Sequence, residues 1–297
     1  MTKEDLKLFL NKKPSYLKKG KTYLSNMFEL NETDCELALQ EVKQELKSKD
    51  NIKIKRLFFD IETTPNVVYT WRAGYNITIS HDSIIEERKI ISIHWKWQGE
   101  NKVHHLTWDK NQDDKEMLIA FIKVANSANE IIGHNGDRFD IKWLRTRCIY
   151  HRIPMLPIYQ TLDTLKKAKK YFNFNSNKLD YIAQFLGVGA KTEHEGYSLW
   201  LKVMKNDKEA LRKMVIYGDN DVVILEDIFQ VMSSYINQNV HHGALADKEN
   251  ISCPNCTEEV ISYVKPIVTP LGTIQRIMNC DSCNSTFKIS DSKFKKL

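Results

Sequence analysis

Phe58-Phe59-Asp60-Ile61-Glu62-Thr63 sets two carboxylates two residues apart inside an apolar run that closes at Pro65. Lys55 to Thr63 has the composition of a β-strand bounded by a breaker. On a strand, alternate residues share a face, so Asp60 and Glu62 project together and Ile61 projects to the other side. An exposed edge strand with solvated acids fits poorly, because Phe58, Phe59 and Ile61 suit a strand buried on both faces. Two carboxylates side by side in such a place repel, and one takes up a proton unless a cation holds both ionised.

Two later stretches repeat the oddity. Gly133-His134-Asn135-Gly136-Asp137-Arg138-Phe139-Asp140 begins as a short strand, Glu130 to His134, and passes through Asn135 and Gly136 into a helix. Asp140 falls in the first turns of that helix, near Phe139, Trp143 and Leu144. Asp137 reads as an ordinary helix-start acid, favourable with the dipole and able to cap. Tyr217-Gly218-Asp219-Asn220-Asp221 lies in a long helical pattern whose stripe includes Leu211, Val215, Val222, Leu225 and Phe229. Tyr217 and Asp221 are four apart and stack on one face. A phenol one turn from a carboxylate can hold a water beside a metal bound by that carboxylate. Taken alone, the pair is better explained as a half-buried tyrosine and a solvent-facing acid. Asp219 and Asp227 read as exposed charges.

Together, and in this order, the three segments resemble the Exo I, Exo II and Exo III motifs of the DEDD (DnaQ-like) 3′–5′ exonuclease superfamily. The resemblance is to its tyrosine-bearing branch, closest to the proofreading domain of family B DNA polymerases. It covers roughly residues 55 to 235 and extends to Lys178-Leu179-Asp180-Tyr181-Ile182-Ala183 with Leu186-Gly187. Short motifs recur by chance, but three in order with fold-compatible spacing are specific.

The resemblance implies an α/β, RNase H-like fold, a mixed sheet flanked by helices. Matching strands are expected at 55–63, 89–98, 102–109 and 130–134. Helices are expected at 113–127, 137–150, 162–172, 177–186 and 208–236. It also implies hydrolysis of DNA from a 3′ end, on single strands or frayed ends, releasing nucleoside 5′-monophosphates by a two-metal mechanism. Asp60 would bridge two Mg²⁺ or Mn²⁺ ions, Glu62 and Asp221 would bind the first, and Asp140 would support the second. Oxygen-only ligands suit such hard ions. Tyr217 would orient the attacking water, and Thr63, Asn135 and Phe139 match positions near the substrate end. Fold does not fix substrate, so an RNA exonuclease or structure-specific endonuclease on the same scaffold is the first alternative. A catalytically silent nucleic-acid-binding adaptor is the second, and the complete acid set weighs against it. With 297 residues, the chain has no room for polymerase palm and fingers at usual domain sizes. It is expected to act alone or with a separate polymerase or repair machine.

Cys253-Pro254-Asn255-Cys256 and Cys280-Asp281-Ser282-Cys283 flank a strand-rich stretch, Val260 to Ile277. This spacing reads as a zinc ribbon holding one structural Zn²⁺, with no ligand position left open. A segment so small folds poorly without such a staple. Cys35 and Cys148 fall in helical patterns and read as buried thiols. Lys265, Arg276, Lys288 and the tail Lys293-Phe294-Lys295-Lys296-Leu297 suit a phosphate backbone as well as they suit solvent.

Domains are therefore expected at 1–50, 51–240 and 250–297, with Lys47 to Lys53 a linker. Thr2 and Asp5 mark a helix start, and Leu6, Phe9 and Leu10 follow. Lys21–Phe28 and Asp34–Leu46, joined by Leu30-Asn31-Glu32, resemble a helix-turn-helix in which Leu24 and Phe28 pack on Leu37, Val42 and Leu46. Glu36, Glu41 and Glu45 on the second helix would repel a DNA groove, so Lys12, Lys13, Lys18, Lys19 and Lys21 are the phosphate-contact candidates, and a helical docking module fits as well. Net charge is +6 with a pI near 8.8, a mild lean toward polyanions. No apolar run reaches a membrane span and no signal-peptide core opens the chain, so the expectation is cytoplasmic. A compact standalone nuclease suggests a microbe or virus. His104-His105, His134 and His241-His242 read as packing or solvated histidines, and Trp95 and Trp97 as packing residues. Trp71 and Tyr75, in the long loop after the first motif, are candidates for stacking on a base.

Overall fold

The computed structural model describes residues 2–49, 54–74, 76–192, 195–246 and 251–297. By internal packing the described residues form two units. One comprises Ile54–Asn239 with Asn284–Thr286, and the other comprises the remaining described residues.

The amino-terminal segment holds α1 (Lys3–Lys12), α2 (Lys21–Phe28) and α3 (Glu32–Lys49). Thr2 and Asp5 cap α1 reciprocally: the Asp5 N–H donates to Thr2 Oγ1 at 3.2 Å and the Thr2 N–H to Asp5 Oδ2 at 2.9 Å. Leu6, Leu10, Leu24, Cys35, Ala38, Leu39 and Val42 form its core, with Phe28 against them. Leu37 is not among them. It is exposed, because Cys35, Ala38, Leu39 and Val42 already fill the buried stripe at helical spacing. Glu41 accepts ion pairs from Lys3 and Lys7, and Glu36 pairs with Lys21. Glu36, Glu41 and Lys21 are thus used within the segment. The side chains of Glu45 and Leu46 and the end of the expected linker lie outside the described residues.

Next come β1 (Arg56–Thr63), β2 (Val67–Val68), β3 (Ile84–Glu86), β4 (Ile90–Trp97), β5 (His104–Thr107), α4 (Lys115–Asn126), β6 (Glu130–Gly133), α5 (Asp140–Tyr150), β7 (Thr161–Asp163), α6 (Thr164–Tyr171), α7 (Leu179–Leu186), α8 (Tyr197–Met204) and α9 (Lys208–Met232). Five strands make one mixed sheet in the order β5-β4-β1-β6-β7. β1 is central, antiparallel to β4 and parallel to β6. This is the expected RNase H-like α/β fold.

Alternation along β1 builds two cores. Leu57, Phe59 and Ile61 join Phe121, Ile141 and Leu144 on the side of α4 and α5. Phe58 joins Val222, Leu225 and Phe229 of α9 and Ile182 of α7 on the other. Asp60 and Glu62 share the parity of Phe58, so they face α9. The strand β7, the hairpin β2–β3 and helix α8 were not expected. Residues 162 and 163 fall within the helix expected at 162–172, since a three-residue strand is too short to show a period of two. Asp163 caps that helix, its Oδ1 accepting from the N–H groups of Leu165 and Lys166. Helix α5 starts at Asp140 rather than 137, and Asp137 does not cap it; Asp137 pairs with Lys166 Nζ at 2.6 Å instead.

The carboxyl-terminal segment holds β8 (Ile261–Val268), β9 (Ile274–Cys280), β10 (Thr286–Ser290) and α10 (Asp291–Phe294), with a three-stranded sheet in the order β10-β9-β8. Arg276 does not project to solvent: it pairs with Asp291 and lies over the rings of Tyr263 and Phe294. Nor is His242 solvated. It is buried, and its N–H donates to the Pro254 carbonyl of the first Cys pair. Among the described residues no helix is long and apolar enough to cross a membrane.

Candidate metal centres and active site

Side-chain oxygens of Asp60, Glu62 and Asp221 lie within 4.8 Å of one another. The two strand acids come from β1 and the third from the facing side of α9. Asp140 reaches the same place from α5: it is 3% exposed and its Oδ1 accepts the Ile61 N–H, the peptide between the two strand acids, at 3.1 Å. Tyr217, one turn before Asp221, is buried with its ring edge-on to Trp200. All five expected residues therefore meet at one place.

The place is hostile to charge. Burial, then the charge of Asp221, pushes the Asp60 carboxyl up to about 7. Burial, then Asp60 and Asp221, raises Glu62 well above the ordinary carboxylate range. Burial, then Asp60, does the same to Asp140. Asp221 is raised by burial, against the opposing pull of Lys191. Burial and the Asp221 charge push the Tyr217 phenol up to about 12.

Lys191 is the residue the sequence did not reveal. Its ammonium pairs with Asp221 and donates to the Tyr217 hydroxyl at 2.8 Å. Burial lowers its pKa, but the charge and hydrogen bond of Asp221 outweigh that and raise it. The loop that carries it is fixed at two points: the Lys191 N–H donates to Asp180 Oδ1 at 2.8 Å, and Asn220 Nδ2 donates to the Ala190 carbonyl. One ammonium faces four carboxylates, and Asp221 Oδ1 is buried with no hydrogen-bond partner. An all-oxygen donor set with an unsatisfied buried oxygen and excess negative charge fits hard divalent cations.

The seating of α9 depends on Gly218. A Cβ there would lie 2.4 Å from His94 Nε2. The His94 ring cannot yield. It is fully buried, hydrogen-bonded to Ser92 Oγ at 2.8 Å and to Asp219 Oδ1 at 2.8 Å, while Asp219 Oδ2 engages His105 Nδ1 at 3.0 Å. Asp219 is therefore a bridging acid rather than the exposed charge expected, and Asp227 is half-buried. Asn135 adopts φ = 70°, a left-handed conformation Asn tolerates; its N–H donates to Asp163 Oδ1 at 3.0 Å. Phe139 packs on the apolar core and Thr63 lines an open groove. His134 is hydrogen-bonded to Thr164 Oγ1 and the Asn177 carbonyl, a packed histidine as expected. Trp71 stands fully in solvent, and Tyr75 lies outside the described residues.

The four carboxyl-terminal sulfurs also converge within 4.8 Å, with Cys253–Cys283 at 3.6 Å and Cys256–Cys280 at 3.5 Å. A tetrahedron of Zn–S bonds of about 2.3 Å requires S–S edges of about 3.8 Å. The Asn255 N–H and Nδ2 donate to Cys253 and Cys283 sulfurs, the outer hydrogen bonds such a centre uses. The cluster fits a zinc ribbon. Cys35 and Cys148 are buried, as expected.

No curated protein is significantly similar to the chain. In three dimensions it is similar to the family B DNA polymerase from the hyperthermophilic archaeon Pyrobaculum calidifontis, at 13% identity and a TM-score of 0.49 over 73% of this chain. The match spans 31% of that polymerase's length. The family model described as RNase_H superfamily matches residues 57–233, more than half of the sequence, and the chain belongs to that superfamily.

Proposed function

We propose that the chain is a metal-dependent 3′–5′ exonuclease acting on single-stranded or frayed DNA ends and releasing nucleoside 5′-monophosphates. The observation that carries this reading is the convergence of Asp60, Glu62 and Asp221 within 4.8 Å, beside buried Asp140 and Tyr217. Asp60, Glu62, Asp140 and Asp221 would hold a pair of Mg²⁺ or Mn²⁺ ions. When bound, the ions supply Lewis-acid charge to the attacking water and the leaving 3′ oxygen. The chain's own contribution is placement. The Tyr217 hydroxyl, held by Lys191, aligns a water toward the phosphorus, and its raised pKa keeps it protonated as a donor. The sheet and α9 fix these groups on rigid elements, which catalysis by positioning requires. Thr63, Asn135 and Phe139 would lie near the substrate end, as the resemblance implies. Structural Zn²⁺ would be held by Cys253, Cys256, Cys280 and Cys283, and a separate polymerase or repair machine is the natural partner.

The deciding assay is an end-labelled DNA ladder with Mg²⁺, Mn²⁺ or chelator. Stepwise shortening from the 3′ end, abolished by chelator, is expected. Cutting of circular single strands would convert the reading to an endonuclease, and faster cutting of matched RNA would convert the substrate.

A further inference from the structure

An open groove of about 370 Å³ is lined mainly by Thr63, Thr64, Pro65, Arg88, Tyr197 and Trp200. One end adjoins the acid cluster: Thr63 follows Glu62 in the chain, and the Trp200 ring meets the Tyr217 ring at 6.3 Å. Its walls are apolar and aromatic apart from one cation. Arg88 lays its guanidinium 5.1 Å from the centre of the Trp143 ring, on the helix that carries Asp140. Its Nε is sealed from solvent and has no hydrogen-bond partner. No carboxylate pairs with Arg88 among the described residues, although Lys96, Arg147 and Lys191 in the same unit all have acids. The backbone around it is pinned: the Arg88 N–H donates to Asn66 Oδ1 at 3.1 Å, the Lys89 N–H to Thr64 Oγ1 at 2.9 Å, and the Thr64 N–H to the Lys89 carbonyl at 2.9 Å.

A half-buried, stacked and unpaired guanidinium is costly unless an anion completes it. A guanidinium over an indole and without a carboxylate partner can engage a bidentate acceptor through its N–H fork, and phosphate has that shape. Aromatic walls beside it suit an unstacked base, whose faces a duplex would hide. The volume is at the small end for ligand pockets, room for one nucleotide and not for a double helix. We propose that this groove is the track of a single nucleic-acid strand. Arg88 grips a phosphate next to the scissile one, and the Tyr197–Trp200 wall receives the adjoining base. The proposal rests on the nuclease reading only in taking the acid cluster as the reacting end.

The test separates the two. Full-length protein is titrated with a fluorescein-labelled oligothymidylate in Ca²⁺ at several salt concentrations, so that binding is read without cutting. Arg88→Gln should weaken binding about tenfold and lower the slope of log K against log salt by about 0.7, the value of one phosphate contact on a single strand. Arg88→Lys should keep the slope and lose part of the affinity, since it keeps the charge and loses the stacked fork. A 5-iododeoxyuridine placed second from the 3′ end should photocrosslink to Tyr197 or Trp200. Parental affinity and slope in Arg88→Gln overturn the proposal. So does an affinity loss with no slope change in both variants, which marks a structural arginine, and so does crosslinking confined to residues 251–297. A parent that binds with the expected slope yet shortens no DNA leaves the groove standing and sinks the exonuclease.

Discussion

The acid centre and the thiol centre make opposite demands on the fold. The acids come from three distant segments mounted on β1, α5 and α9, elements that their own apolar cores would hold together in any case. Their carboxyls are pushed above the ordinary range mainly by burial and by one another, so the cluster works against the folded state. The thiols come from two local Cys-x-x-Cys turns around a small core of Met278, Phe287 and Ile289. There the ion would be the fold's main support. One site spends stability to keep charge poised; the other would draw stability from its ion.

That contrast breaks most directly at Asp60. Asp60→Ala should lower turnover roughly a thousandfold, since loss of a metal's several kcal/mol of charge stabilisation converts at 1.36 kcal/mol per tenfold. The same change should raise the melting temperature in chelator, because a repelling buried acid is gone. A variant that cuts like the parent, or melts lower without metal, overturns the assignment. Cys280→Ser should do the reverse, abolishing stoichiometric zinc and unfolding the ribbon while the nuclease unit stays intact. The six tryptophans all fall between residues 71 and 200, so tryptophan fluorescence reports that unit alone, and its melt should not move. Undiminished zinc content in the variant would remove the ribbon reading.

Smaller effects sharpen the acid side. Gly218→Ala forces a methyl into the pinned His94 ring, and such overpacking costs about 1–3 kcal/mol. Turnover should fall with the melting temperature, as α9 carries both Tyr217 and Asp221. Tyr217→Phe should slow turnover about tenfold with no change in melting; an unaltered rate would strip it of its water-aligning role.

These predictions also mark what the sequence could and could not reveal. Asp60 and Glu62 were legible because a strand has a period of two and their neighbours are apolar on both faces. Tyr217 and Asp221 share a helix face four residues apart, but alone they read as a half-buried tyrosine and a solvated acid. They became legible only through the resemblance of the three segments taken in order. The Cys pairs carry their geometry in their spacing. Lys191 and Arg88 were not legible, because each lies in irregular chain where no periodicity assigns a face, and each gains its meaning from partners far away in sequence. Asp219 failed for a related reason: its helix position looks exposed until β4 and β5 bring His94 and His105 against it. Helix α8 was missed because Gly196 offers no side-chain cap and Tyr197 to Met204 is apolar on most sides, a pattern that marks no helix start.

The gentlest test is pH, and its sign follows from the raised carboxyls. The Asp60 carboxyl sits at about 7 in the folded chain against about 3.9 when unfolded. Between those values the folded chain binds more protons than the unfolded one, so stability without metal must fall as pH rises through that window. Glu62 and Asp140, also raised, push the same way. Divalent ions displace those protons, so their affinity should climb with pH, by about tenfold per unit where one proton is released. Melts followed by tryptophan fluorescence at pH 5 to 8, in chelator and in Mg²⁺, read both trends at once. The chelator curve should decline while the increment added by Mg²⁺ grows. An increment independent of pH would mean that the ion does not bind at these acids, and the thiol centre, whose tryptophan-free unit is silent in this signal, could not account for the result.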